Sequence, residues 1–292
     1  MKQDVLPIIL GATDGAYALA HAFFHDYGIV PLVLDDCDSL LFKHTFCAYQ
    51  SIVKNVRKPD TFYRVAEDMA VKCQGKSLLL IPADGCFLSL VSERVSWLSK
   101  MFLLPHLPTP SFEKKPDDVV ALALLYRTGR GECRTVYART LAKSPSGEFT
   151  ALLAQNIPDV IAEDIKAQAP NLCRGIYLFY IDSEGKLYRD GSVLSPLVAF
   201  SAAKDASLPE WMINETVLCE PLPETQEELS ALFTLFPYRK TRRFLTRAAR
   251  KTVRHIQKCS LYSFKEEGVR RDIARVFKAL YRDHTAESRL KD

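Results

Sequence analysis

The chain has 292 residues, is 48% hydrophobic and carries a formal net charge of +4, so it can bury a large core in two domains or one elaborated α/β domain. Its eight cysteines stand at least ten residues apart with no Cys-x-x-Cys pair. That spacing excludes a zinc knuckle or a dithiol redox motif and fits reduced thiols in a cytoplasm.

Val5 to Leu10 reads as an apolar strand, Gly11-Ala12-Thr13-Asp14-Gly15 as a turn, the stretch to about Tyr27 as an amphipathic helix, and Ile29 to Leu34 as a second strand. This is half of an open α/β sheet, whose ligands bind beyond the carboxyl ends of the strands. Glycines there let the chain reverse and let a ligand approach the backbone, while the first helical N–H groups favour anions. Asp14 either caps those groups or contacts the ligand. Gly-x-x-x-Gly is looser than the Gly-x-Gly-x-x-Gly dinucleotide fingerprint, so Asp35 and Asp36 after strand two carry only a weak signal for a nucleotide ribose.

Lys2 and Ala18-Leu19-Ala20 outline a secretory signal, but the apolar run between them is too short for one. No stretch has the length of a membrane span, and a cytoplasmic location is expected. Onward, Lys54 to Pro59 is a polar loop, Thr61 to Cys73 a helix, Leu78 to Ile81 a buried strand ended by Pro82-Ala83-Asp84-Gly85, and Ser89 to Phe102 a helix. Alternating strands and helices predict a parallel sheet over residues 1–104. Four prolines then mark a linker over 105–116.

The pattern changes over 117–237. Val119 to Tyr126, Cys133 to Leu141 and Phe149 to Gln155 are strand-like and separated by turn residues, Gly129-Arg130-Gly131 and Ser144 to Gly147. Ala162 to Ala169 is helical, and Ile176 to Ile181 pairs with Lys186 to Tyr188 across Asp182-Ser183-Glu184-Gly185. An α+β domain with an antiparallel sheet follows. Arg127 and Arg134 flank its first hairpin, where guanidinium groups either clamp a phosphate or face solvent.

Charge is polarised. Residues 238–292 hold seventeen basic and six acidic side chains, a balance of +11, which leaves the rest at −7. Tyr238 to Lys258 has nine basic residues, no acidic one, and apolar residues at helical spacing. A basic amphipathic helix is predicted, able to lie on an anionic membrane, follow nucleic-acid phosphates, or pack on its own domain. Its few aromatics argue against nucleic acid.

Other constellations are sparse. His21-x-x-x-His25 has a zinc-compatible spacing on one helical face, but Ala22 stands where a zincin carries glutamate. No Gly-x-Ser-x-Gly elbow surrounds Ser92, Ser192 or Ser195, and no catalytic nucleophile is assigned.

The opening ILGATDGAYALAHAFFHDYGIVPLVLD, the later LLLIPADGCFLSLVSE and the basic IQKCSLYSFKEEGVRRDI together resemble the ATP-grasp carboxylate-amine ligases related to the carbamoyl-phosphate synthase large chain. The resemblance implies an N-terminal, Rossmann-like pre-ATP-grasp domain that helps hold the acceptor substrate, with ATP and Mg2+ bound by later subdomains. It places the ligand at Gly11, Thr13, Asp14, Gly15, Asp84 and Gly85. The family inserts a nucleotide-binding lid where this chain has only the proline-rich 105–116. Its Glu-x-Asn-x-Arg magnesium motif corresponds here to Asp190-x-Ser192-x-Leu194, and the acidic residue of the preceding strand is missing from Ile176 to Tyr180. Asp190 is the one remaining metal candidate, although hard Mg2+ needs several oxygen ligands.

Two functional classes are consistent with these features. One is an ATP-grasp remnant that binds a small amino-acid-like or peptide-like ligand, or a protein partner, a second copy included. The other is a working ATP- and Mg2+-dependent carboxylate-amine ligase, with phosphates held near Arg127, Arg134 and Asp190 or completed by another subunit.

Overall fold

The computed structural model describes residues 4–43, 45–107, 116–143, 149–190, 208–222, 231–234, 245–254 and 256–260. The first unit is a parallel sheet of β1 (Val5–Leu10), β2 (Leu32–Asp35), β3 (Tyr49–Ile52) and β4 (Ser77–Pro82), in the order β3-β2-β1-β4. Side-chain alternation sorts its two faces. Val5 and Ile9 of β1 pack with α1 (Asp14–Tyr27), and Ile8 and Leu10 pack with α3 (Pro59–Lys72) and α4 (Gly85–Glu93).

The helices start and stop for local reasons. Thr13 Oγ1 accepts from Ala16 N, so Thr13 caps α1 and Asp14 occupies the first turn instead of the cap considered for it. Gly28, in the left-handed conformation, ends α1 by donating its N–H to Phe24 O at 2.8 Å. Ala16, Leu19 and Phe23 line its buried stripe, and each large apolar side chain buried there contributes about 1.5–3 kcal/mol.

Two short elements precede α3 that the sequence pattern does not announce. These are α2 (Leu40–Lys43) and β3, an edge strand whose four residues are all at least partly exposed. The helix expected from Ser89 to Phe102 starts earlier, at Gly85, because Asp84 caps it. It then breaks at Arg94 into α4 and α5 (Val95–Leu98).

The second unit is a seven-stranded sheet in the order β11-β10-β7-β6-β5-β8-β9. Its strands are β5 (Ala121–Arg127), β6 (Cys133–Lys143), β7 (Phe149–Ala154), β8 (Gly175–Ile181), β9 (Leu187–Asp190), β10 (Ala231–Thr234) and β11 (Gln257–Ser260). All pairings are antiparallel except β10 with β11. The mixed α/β architecture is therefore the expected one, a parallel-sheet domain followed by an antiparallel-sheet domain. One face of this sheet is covered by α6 (Asp159–Gln168), through Ile161 and Ile165.

The other face belongs to the largest core cluster. Leu122, Leu124 and Tyr126 of β5 join α1 and the Trp211 and Met212 side chains of α7 (Leu208–Ile213). Helices α1 and α7 thus lie between the two sheets.

The predicted basic helix is shorter than its pattern. Among the described residues it is confined to α8 (Arg247–Thr252), capped by Thr246, and β11 follows because Gln257 to Ser260 find a pairing edge on β10. Residues 108–115, the 144–147 turn, Ser192, Ser195, Leu194, 238–244 and 261–292 lie outside the described residues. No helix among the described residues is long and apolar enough to cross a membrane.

A buried histidine ties the units together. His106 is 2% exposed, its Nδ1 accepts from Ile176 N at 3.0 Å, and burial lowers its pKa to about 3. The unfolded chain binds this proton below about pH 6.5 and the folded chain does not. Stability should therefore fall by about 1.4 kcal/mol per pH unit between pH 6.5 and about 3, with no contribution from this group above that window. Urea unfolding across that range reads the slope, and an undiminished slope in His106→Gln would assign it to other groups.

Candidate functional site

The sheet order reverses between β1 and β4, and in open α/β sheets a ligand crevice forms at such a switch point, beyond the strand ends. Gly11 follows β1 and Asp84 follows β4, so the predicted residues flank that crevice. They come very close. A Cβ on Gly11 would lie 2.6 Å from Asp84 Oδ2, and Gly11 has φ +102°.

A charged cluster occupies the same strand ends. Asp35, the last residue of β2 and 2% exposed, accepts from Ala12 N at 2.7 Å and from Asp36 N at 2.7 Å. Arg57 reaches over from the loop after β3, with Nε 3.0 Å from Asp35 Oδ1 and Nη2 3.0 Å from both Asp35 Oδ2 and Asp84 Oδ2. Asp36 lies 3.2 Å from the same Nε. The guanidinium also sits 4.9 Å above the Phe87 ring. Burial opposes its charge, but Asp84 and Asp35 more than offset that and raise the Arg57 pKa above its ordinary value.

One formal positive charge therefore meets three carboxylates. Several backbone donors are already used, Ala12 by Asp35, Ala16 by Thr13 and Phe87 by Asp84, which lessens the site's capacity for an anion. Carboxylate and guanidinium side by side suit a ligand carrying both signs. Gly15, second residue of α1, and Gly85, first residue of α4, lie in the opening turns of the two helices that point at this edge. Arg57 gave no sequence signal, because it lies in a polar loop behind a strand with no apolar alternation.

The proposed phosphate residues do not converge. Arg127 is directly opposite Cys133 and Arg134 opposite Tyr126, so alternation directs the two arginines to opposite faces of the sheet. Arg134 donates to the carbonyls of Cys133 and Leu222 at 3.0 and 2.9 Å, and Arg127 to Thr128 O at 3.3 Å.

Near them is an interaction the sequence concealed. Glu215, on a π-helical turn (Asn214–Leu218), accepts from the Tyr126 hydroxyl and, at 2.6 Å, from Gly129 N. Tyr126 stacks on Trp211 at 5.9 Å between centroids, and burial together with Glu215 raises its pKa. This latch fixes the hairpin against α7.

Asp190 ends β9 directly opposite Leu178 of β8, and the Tyr180 hydroxyl lies 3.5 Å from its Oδ2. Among the described residues this donor set is one carboxylate, where hard Mg2+ takes several oxygen ligands, and Ser192 and Leu194 of the same motif lie outside the described residues. A separate cavity of about 270 Å³ sits at the other end of β1, lined in part by Val5, Tyr27, Glu210 and Val217.

The fold is similar to that of solved enzymes over about four-fifths of the chain. N5-carboxyaminoimidazole synthetase from Staphylococcus aureus superposes with a TM-score of 0.53 at 10% identity, covering 82% of this chain and 84% of that one. Its ADP complex gives 0.54. The Kluyveromyces lactis urea carboxylase gives 0.52 at 11% identity, over 80% of this chain and 23% of that chain. Biotin carboxylase from Campylobacter jejuni, in a complex named for an ATP ligand, gives 0.51 at 10% identity over 77% and 74%. No protein-family model and no curated protein sequence matches the chain. The fold thus resembles that of the ATP-grasp carboxylate-amine ligases, and at these identities the likeness is one of fold.

Proposed function

We propose that this chain is an ATP-grasp-related ligand-binding or partner subunit that has lost autonomous ligase activity. The observation that carries this reading is the cross-strand pair of Asp190 with Leu178. An apolar residue faces the carboxylate where paired acidic strands would hold Mg2+ against nucleotide phosphates. Support comes from the connection between the units, where strand β5 follows the proline-rich 105–116 with no room for a lid of the family's size.

The ligand belongs at the carboxyl edge of the parallel sheet, over the strand ends that carry Gly11 and Asp84. Arg57 can receive a carboxylate there, and Asp36 and Asp84 an ammonium, which favours an amino-acid-like or peptide-like molecule.

Thermal unfolding with millimolar Mg-ATP tests the loss of ligase function. A nucleotide at one hundred times its Kd would stabilise the chain by about 2.7 kcal/mol. No shift is expected. A clear Mg2+-dependent shift that disappears in Asp190→Ala would overturn this reading, and ATP turnover that depends on Mg2+ and an amino acceptor would then mark the working ligase.

A further inference from the structure

A second cluster of side chains lies at the amino edge of the parallel sheet, on the far side from the crevice. Helix α1 runs back across the sheet, so its last turns approach the loop that leads into β3. His21 and His25 stand one turn apart there, and their Nε2 atoms are 3.1 Å from each other. Cys47, two residues before β3 and 1% exposed, completes the group, and one donor atom from each residue lies within 4.8 Å of the others.

These separations suit a common metal ion. Zinc bonds of about 2.0–2.1 Å to nitrogen and about 2.3 Å to sulfur set tetrahedral edges of about 3.3 Å between nitrogens and about 3.6 Å between nitrogen and sulfur. The supporting contacts hold the group in place. Cys47 N donates to Thr45 Oγ1 at 3.2 Å, and Phe24 meets Phe46 edge-on at 5.2 Å between centroids, fastening the loop to the helix that carries both histidines.

We propose that His21 Nε2, His25 Nε2 and Cys47 Sγ bind one zinc-class divalent cation, with a water in the fourth position on the exposed His25 side. Two imidazoles and a thiolate form a borderline-soft set that selects zinc over the oxygen-seeking Mg2+ and Ca2+. Cys47 releases its proton to solvent as the metal–sulfur bond forms. The bound ion pins the end of α1 to the loop before β3. It is independent of the ligand crevice, because the two sites occupy opposite edges of one sheet.

Cobalt(II) titration of the chelator-treated full chain tests this assignment. The expected result is one equivalent bound, with tetrahedral ligand-field absorption and a thiolate-to-cobalt charge-transfer band, both abolished by added zinc. Cys47→Ser should remove the charge-transfer band, and His25→Gln, at an exposed position, should weaken zinc at least about tenfold without altering the circular dichroism of the metal-free chain. Glu67→Gln, on the exposed face of α3, should leave the titration unchanged. Absence of a tetrahedral cobalt spectrum overturns the proposal, as does a charge-transfer band that persists in Cys47→Ser.

Discussion

Replacing Arg57 by alanine is expected to destabilise the folded chain by about 3 kcal/mol, the low end of the range for breaking a buried ion pair from one side. Asp35 is the reason for the size of the effect. Its carboxylate is 2% exposed and receives two guanidinium hydrogen bonds, so removing Arg57 leaves a buried charge held, among the described residues, by the N–H groups of Ala12 and Asp36. Arg57 itself is 32% exposed, which admits water and keeps the cost from the upper end. The contact over Phe87 is lost as well. Arg57→Lys keeps the charge but not the planar fork that spans Asp35 and Asp84, so it should recover only part of the loss. Urea unfolding of the three proteins at neutral pH measures this. A cost below about 1 kcal/mol for Arg57→Ala would mean that the cluster is solvated like a surface pair.

Gly11→Ala is expected to cost about 3 kcal/mol from two sources, and Gly75→Ala separates them. Both glycines have positive φ, +102° and +88°, where an L side chain is strained by about 1–3 kcal/mol. A Cβ at Gly75 meets nothing within 4 Å, whereas one at Gly11 meets Asp84 Oδ2 at 2.6 Å and Cγ at 3.2 Å. Asp84 cannot withdraw easily, since it caps α4 and binds Arg57. The excess of Gly11→Ala over Gly75→Ala therefore reports crowding at the crevice. In an Asp84→Ser background that excess should shrink, and a double-mutant cycle by thermal unfolding reads the coupling. Equal costs for the two glycines would remove crowding from the account.

The first sheet was readable because its central strands are buried on both faces and its helices bury one. Val5–Leu10 and the helix ending at Tyr27 follow directly from that patterning. Strand β3 was not readable, because Tyr49 to Ile52 form a half-exposed edge with neither alternation nor an apolar run. Losing β3 also hid Arg57, whose role depends on where that strand delivers the chain. The glycine turn and Asp84-Gly85 marked the two sides of the crevice, but their closeness is a property of strand order, which periodicity does not encode. The basic stretch misled for a related reason. Apolar residues at helical spacing outlined a long helix, and the open edge of β10 captured Gln257 to Ser260 as a strand.

Among the described residues, one core cluster runs from β1 through α1 and α7 to β5 and so joins the two sheets. Heat or denaturant should therefore report the chain as one cooperative unit, so that a ligand held only at the carboxyl edge of the parallel sheet raises the melting of the antiparallel sheet by the same free energy. Global unfolding then measures how tightly a compound binds. Locating the compound takes substitutions at Arg57, at Asp190 or at His25.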